Sequence, residues 1–301
     1  MEIGFSIIMP NYNSAYLERA INSVVNQTHD KWELIIIDDF STNYPENIIK
    51  KINNKKITFY KYNNSNNIAR SRNIGIKKSK YSWIAFLDAD DVWENDKLYV
   101  VEQNIIKKNP DFIYHGMYYL PKKLGFIKKT IKYHSKNITK PIFNSLIKNG
   151  NGIANSSVVV RKNLLLDIGL LSENVKKISW EDYDCWIRCS KKTDNFLYIP
   201  KTLGYYWIGG GNISSFERNY TNYKNFHNFY KKEIILLVND TKLDWYNSFL
   251  FMWYYKKKRI NRAYIFNKKI KDNDWKSILR SLHIKFLFNF KIIKKLLKDK
   301  I

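Results

Sequence analysis

An apolar run that stops abruptly on three acids constrains this chain more than any other stretch. Trp83-Ile84-Ala85-Phe86-Leu87 is followed without a spacer by Asp88-Ala89-Asp90-Asp91. A short run of this kind reads as a strand covered on both faces, as in a parallel sheet. Such sheets bind ligands in the crevice beyond the carboxyl ends of their strands, so the acids arrive where a site is expected. In an extended segment, side chains at i and i+2 point the same way. Asp88 and Asp90 would then face one ligand together, while Asp91 would face elsewhere. Two carboxylates held that close repel unless a cation or a donor-rich ligand lies between them. Hard divalent cations such as Mg²⁺ favour one or two carboxylates plus substrate phosphates. The plain structural alternative is that these acids cap a following helix, above all Asp91.

The residues upstream repeat the pattern. Residues 5–9 form a short apolar strand that Pro10 is expected to stop. Asn13 or Ser14 can then cap a helix carrying Leu17, Ala20, Ile21, Val24 and Val25 at helical spacing. Glu33-Leu34-Ile35-Ile36-Ile37-Asp38-Asp39 is a second buried strand ending in acids. Residues 57–62 alternate as a third strand, and residues 69–77 read as a helix with Arg70, Arg72 and Asn73 in its first turns. Strands and helices alternating at such short intervals predict an α/β fold with a parallel, doubly wound sheet. Its strand ends deliver Pro10-Asn11-Tyr12, Asp38-Asp39 and Asp88-Ala89-Asp90 to one edge. Neither G-x-G-x-x-G after the first strand nor G-x-x-x-x-G-K-[ST] occurs, which speaks against a dinucleotide dehydrogenase and a P-loop NTPase. A nucleotide held by acids and a metal remains.

Taken in order, Ser6-Ile7-Ile8-Met9-Pro10-Asn11-Tyr12-Asn13, Gln27-Thr28, Glu33 to Thr42, Ala69-Arg70-Ser71-Arg72-Asn73 and Phe86-Leu87-Asp88-Ala89-Asp90-Asp91 resemble glycosyltransferase family 2 over about the first 100 residues. The resemblance implies a GT-A fold, Rossmann-like. It also implies an inverting transferase that uses a nucleotide-diphospho-sugar, expected to be a UDP-sugar, and a divalent cation, Mn²⁺ or Mg²⁺. Carried over position by position, it implies that Pro10 and Tyr12 line the base and ribose pocket and that Asp39 accepts from the imide N–H of uracil. An ionised acid suits that task because it only accepts. Arg72 would lie by the nucleotide, where a fixed cation complements diphosphate. Asp88 would sit near ribose and diphosphate, and Asp90 would hold the metal. The bland alternatives are core packing for Tyr12, a structural pairing for Asp38 and a solvated helix charge for Arg72.

Farther along, residues 98–106 read as a helix and residues 112–120 as a strand, with His115 expected to be packed or at the surface. Residues 122–140 are basic and irregular. Residues 155–161 read as a strand, and Ser179-Trp180-Glu181-Asp182-Tyr183-Asp184-Cys185-Trp186-Ile187-Arg188 opens a helix near Glu181. Carboxylates at a helix N-terminus are stabilised by its dipole and stay ionised, as a general base must. The Glu181-Asp182 pair resembles the family's Glu-Asp motif, which implies that Asp182 is the base. The alternative is that both acids only cap the helix. Cys185 and Cys189 lie on one face of it, expected in the core. Residues 198–207 give another strand, and Gly209-Gly210-Gly211-Asn212-Ile213-Ser214 follows as a loop. Family members place a mobile His or Arg there, whereas here the nearest Arg is Arg218.

Beyond about residue 215 the strands stop, and residues 220–238, 244–264 and 274–297 read as helices. The net charge is +25, and it is unevenly placed. Residues 1–100 carry 13 basic and 12 acidic side chains, residues 224–301 carry 20 and 6. In the last predicted helix Leu279, Leu282, Phe286, Phe290, Ile293 and Leu297 form one stripe, flanked by lysines. That pattern fits a peripheral anchor on an anionic membrane surface, or ordinary docking with a wet lysine face. No apolar run approaches the roughly 18 residues of a membrane span. No signal peptide is read, and two cysteines make neither a disulfide framework nor a metal site. The expectation is a GT-A domain over residues 1–217 and a mostly helical, basic region over 218–301. The enzyme would be a hexosyl- or N-acetylhexosaminyltransferase at the inner face of the cytoplasmic membrane. Its acceptor would be a hydroxyl of a growing lipooligosaccharide, capsule or lipid-linked glycan, with no specific nucleic acid partner. The alternatives are a nucleotidyltransferase of similar fold and a non-catalytic protein that binds anionic surfaces.

Overall fold

The computed structural model describes residues 3–120, 132–133, 137–174, 180–208, 216–238 and 247. The chain begins with β1 (Phe5–Asn11), α1 (Leu17–Val25), β2 (Trp32–Asp38), α2 (Pro45–Ile52), β3 (Ile57–Lys61), α3 (Ile68–Lys78) and β4 (Trp83–Phe86). It continues through β5 (Val92–Trp93), α4 (Lys97–Lys108), β6 (Phe112–Leu120), β7 (Lys132–Tyr133) and α5 (Ile142–Asn149). A short 3-10 turn (Asn155–Ser157) precedes β8 (Val159–Arg161), α6 (Lys162–Asp167), α7 (Glu181–Lys192) and β9 (Phe196–Trp207), and α8 (Phe216–Phe229) and α9 (Lys231–Val238) follow. Two compact units result, one of residues 1–143 and 151–213, the other of residues 144–150 and 214 onward.

The first unit is built on one sheet in the order β3-β2-β1-β4-β8-β6-β9-β5, with β7 on β6. The strands β3, β2, β1 and β4 are mutually parallel. From β8 on the sheet is mixed: β8 runs antiparallel to β4 and β6, β9 parallel to β6, and β5 antiparallel to β9. The doubly wound expectation thus holds for the first four strands only. The continuous apolar runs of β1, β2 and β4 are buried along their whole length, as strands covered on both faces must be. On one face the sheet packs against Leu17, Ala20, Ile21 and Val24 of α1 and Leu98, Val101 and Ile105 of α4. On the other, Gly75 brings α3 so close that a β-carbon there would lie 2.6 Å from Ile8 Cγ2. Trp186 of α7 packs against Phe86 and Phe112.

Pro10 does not stop β1. It pairs with Ile37 and the strand runs on to Asn11. Because β4 pairs only with residues 5–8, β1 is already an edge on that side at Pro10, where a missing N–H is tolerated. Residues 155–157 form the 3-10 turn rather than the start of a strand. Cys185 and Cys189 are buried and free, as expected. His115 is fully buried. The expected helix over residues 220–238 breaks into α8 and α9 at Tyr230. The glycine loop at 209–214, the helix expected at 244–264 apart from residue 247, and the helix expected at 274–297 lie outside the described residues, as does most of the basic stretch 122–140. Among the described residues no helix is long and apolar enough to cross a membrane.

Candidate active site

The three acids form a turn, not an extended run. Leu87 N donates to Ile8 O, Asp88 N to Ser156 Oγ at 3.0 Å, and Asp91 N back to Asp88 O at 3.1 Å. Pleat alternation therefore does not place Asp88 and Asp90; the turn does. It still leaves a quarter of the Asp88 side chain exposed and Asp90 half-buried, while Asp91 is buried. Asp91 caps no helix, because the next element is β5; its Oδ1 accepts from Trp207 N at 2.9 Å. Burial and repulsion from Asp88 push Asp90 up to about 6, against the pull of Arg19. Asp91 is pushed well up by burial and by both neighbouring acids, and the Ser156 hydroxyl and the Trp207 N–H oppose this.

Arg72 joins this turn to α7. Its Nη2 donates to Asp88 Oδ1 at 2.7 Å and its Nη1 to Glu181 Oε1 at 2.5 Å. The guanidinium is buried, and its Nε has no partner. Burial alone would lower its pKa, yet Asp88, Glu181 and Asp182 hold it above the ordinary value. Asn155 Nδ2 also donates to Asp88 Oδ1, at 2.9 Å. Asp182 occupies the first turn of α7, and its Oδ1 accepts from Tyr183 N at 2.7 Å. Burial, then Glu181, raises it to about 7, against the pull of Arg72 and the Tyr183 N–H. Neither acid is the N-cap of α7, and at Asp182 burial and the Glu181 charge outweigh the helix dipole.

At the ends of β1 and β2 the sequence-predicted nucleotide residues gather. The register that sets Asn11 beside Asp38 lets Asn11 Nδ2 donate to Asp38 Oδ1 at 2.6 Å. Ser41 donates to the same carboxylate through N and Oγ, so Asp38 is structural, as expected. Asp39 is buried, and its two oxygens accept Asn64 N at 2.6 Å and Asn66 N at 2.7 Å. It thereby folds residues 64–66, where Ser65 and Asn66 have positive φ, while each oxygen keeps a lone pair for a ligand. Pro10 is buried in β1, and Tyr12 is 56 % exposed beside it, a free ring rather than a core one. Neither Asn13 nor Ser14 caps α1. Asn13, at positive φ, accepts from Thr42 N, and Ser14 Oγ donates to Ala89 O at 2.8 Å, which stitches the first loop to the second and to the acidic turn.

Several residues of the site escaped the sequence. Ser156 accepts the Asp88 N–H and supports Asp91 through its hydroxyl, while its carbonyl accepts Trp93 Nε1 at 2.8 Å and Lys97 Nζ at 2.9 Å. Lys97 is fully buried over the Trp93 ring; burial pushes its pKa well down, and Asp91 opposes this. Arg19 donates to Asp90 O at 2.7 Å and stacks on Tyr16 and Trp207. Only Arg19 left a trace, as a cation just off the apolar stripe of α1. Asn155, Ser156 and Lys97 matter through contacts 59–68 residues away, which no local pattern encodes.

Five carboxylates, Asp88, Asp90, Asp91, Glu181 and Asp182, thus face two guanidiniums, Arg19 and Arg72. Among the described residues no cluster of three His, Cys, Asp or Glu could hold a metal alone. The surplus negative charge and the raised Asp90 fit a divalent cation whose shell a ligand's phosphates would complete; Asp90, with Asp88 beside it, would hold it.

Comparison with known proteins agrees with this geometry. The sequence model of Glycosyl transferase family 2 matches residues 6–169, which is 164 of the 301 residues. An uncharacterised glycosyltransferase of Haemophilus influenzae is 32 % identical over 70 % of this chain and 81 % of its own. The Escherichia coli UDP-Glc:alpha-D-GlcNAc-diphosphoundecaprenol beta-1,3-glucosyltransferase WfgD is 30 % identical over 62 % of this chain and 69 % of its own. The crystal structure of S. aureus TarS 1-349 in complex with UDP-GlcNAc shares the fold, with a TM-score of 0.59, 17 % identity and coverage of 89 % of this chain and 84 % of the TarS 1-349 chain. The chain therefore belongs to glycosyl transferase family 2 and is a glycosyltransferase of the GT-A fold.

Proposed function

We propose that the chain is an inverting, metal-dependent transferase that moves a sugar from a UDP-sugar to a hydroxyl of a growing cell-surface glycan, with a lipid-linked glycan as acceptor. The observation that carries the reading is Asp182, raised to about 7 at the start of α7 and joined through Arg72 and Glu181 to Asp88 of the acidic turn. In this reading Asp182 takes the proton of the acceptor hydroxyl as that oxygen bonds to the anomeric carbon. The bond from that carbon to the diphosphate oxygen breaks, its electrons leave with UDP, and the configuration inverts. Asp39, Pro10 and Tyr12 hold the base and ribose, and Asp88 lies by the diphosphate. A divalent ion on Asp90, when bound, would supply charge neutralisation for the diphosphate.

The UDP donor and lipid-linked acceptor are supported by WfgD, whose name carries both, and the donor also by the UDP-GlcNAc complex of TarS. The nucleotidyltransferase alternative gives way to the family assignment. We place the transferase domain at residues 1–217 and the basic region at 218–301, the latter at the inner, anionic face of the cytoplasmic membrane. The test is a thermal-shift panel of nucleotide sugars with and without Mn²⁺. Stabilisation by one UDP-sugar that needs Mn²⁺ and disappears in Asp90→Ala is expected. Equal stabilisation without the metal, or none by any UDP-sugar, would overturn the reading.

A further inference from the structure

We infer that Arg72 is a positioning residue, not a diphosphate ligand: its guanidinium sets the spacing between Asp88 of the acidic turn and Glu181 beside Asp182. The inference rests on the proposed base role of Asp182. Arg72 is 2 % exposed, and both of its terminal nitrogens are engaged, Nη2 with Asp88 at 2.7 Å and Nη1 with Glu181 at 2.5 Å. The N–H groups left over are buried with the side chain, so a phosphate would reach the fork only by opening this packing or by displacing a carboxylate. A planar fork that meets two carboxylates at once fixes both in distance and in angle, which a point charge cannot do.

The helix that carries Arg72 is itself latched to the chain that leads into α7. Asn73 exchanges hydrogen bonds with Leu171, its Nδ2 donating to Leu171 O at 2.9 Å and its Oδ1 accepting Leu171 N at 3.0 Å. Asn73 Nδ2 also reaches Glu173 Oε1 at 2.9 Å, Arg70 Nε donates to Glu173 Oε2 at 3.1 Å, and Asn67 Nδ2 donates to Glu173 O at 2.9 Å. On its other flank, Ser71 Oγ accepts Asn64 Nδ2 at 2.9 Å, and Asn64 N is held by Asp39. One helix therefore holds the nucleotide-side loop, the acidic turn and the approach to the base, and Arg72 is the member that spans turn and base. Misplacing reacting groups by about 1 Å can cost about 10²-fold in rate without any loss of ground-state binding.

The experiment compares Arg72→Lys, Glu181→Gln and Asp182→Asn. UDP with Mn²⁺ is titrated calorimetrically, and kcat and KM are measured with the sugar nucleotide the wild type turns over. Arg72→Lys keeps the charge but loses the fork. Glu181→Gln leaves the Arg72–Asp88 pair intact and guards against a folding defect in the first variant. Expected are UDP affinities within about threefold of wild type and kcat lowered about 10- to 100-fold in both. A variant combining Arg72→Lys with Glu181→Gln should be little worse than either alone, as for groups acting as one unit. A tenfold or greater loss of UDP affinity in Arg72→Lys with kcat preserved would make Arg72 a diphosphate ligand and overturn the inference. Full kcat in Glu181→Gln would overturn it as well. Wild-type turnover in Asp182→Asn would instead sink the base assignment beneath it.

Discussion

As the proposed base, Asp182 meets two opposed demands. A base must lose its proton, yet burial and Glu181 raise this carboxyl from its ordinary 3.8 to about 7. A raised value makes the carboxylate a stronger proton acceptor, at the cost of its being half-protonated near neutrality. The rate at low substrate should therefore climb with pH and level off above about 7; a profile flat from pH 5 to 8 would contradict the assignment. Asp182→Asn should leave UDP binding intact and lower turnover by about 10²-fold or more. The same residue has a stability signature. Its folded-state pKa lies above the unfolded one, so the native state binds the extra proton and stability falls as pH rises from about 4 to about 7. Asp182→Asn removes that penalty, so its Tm should exceed wild type at pH 8 and match it near pH 4. Equal Tm values at both would show that the carboxyl is not destabilised in the fold.

At the scale of elements, α3 and the 3-10 turn place the chemistry. Gly75 is the contact through which α3 seats on β1. Gly75→Ala should overpack that contact by about 1–3 kcal/mol, read as a lower urea midpoint with unchanged slope. Ser156→Ala leaves the Asp88 N–H without its partner and should cost about 1–3 kcal/mol, together with weaker Mn²⁺-dependent UDP binding. Stability lost with UDP affinity retained would show that Ser156 supports the core alone. The difference between these elements also explains what the sequence disclosed. The parallel half of the sheet was legible because apolar runs such as Leu34 to Ile37 and Trp83 to Leu87 announce buried strands. Asp90, Asp39 and Asp182 stood out as acids abutting such runs or opening a helix. The mixed half was not legible: β8 has only three residues, and its place between β4 and β6 depends on pairings far apart in sequence. Ser156 and Lys97 were silent for the same reason, since a serine or lysine acquires its role only when a distant turn is laid upon it.

For the whole molecule, charge is the governing quantity. A net +25 with a near-neutral first hundred residues puts the excess mostly in the later part of the chain. Each Lys or Arg near an anionic surface contributes about 1 kcal/mol, and salt screens it. The full chain should co-sediment with phosphatidylserine-containing vesicles at about 50 mM salt and be released at roughly tenfold higher salt. Equal sedimentation with purely zwitterionic vesicles would rule out an electrostatic anchor. The two thiols lead to a practical end. Cys185 and Cys189 are the chain's only cysteines, both are sealed in α7, and burial pushes the Cys185 thiol well up, away from the reactive thiolate. A maleimide dye should thus ignore the native protein, and a single cysteine in place of exposed Tyr12 would carry a fluorophore at the edge proposed to bind the nucleotide, with no background to remove.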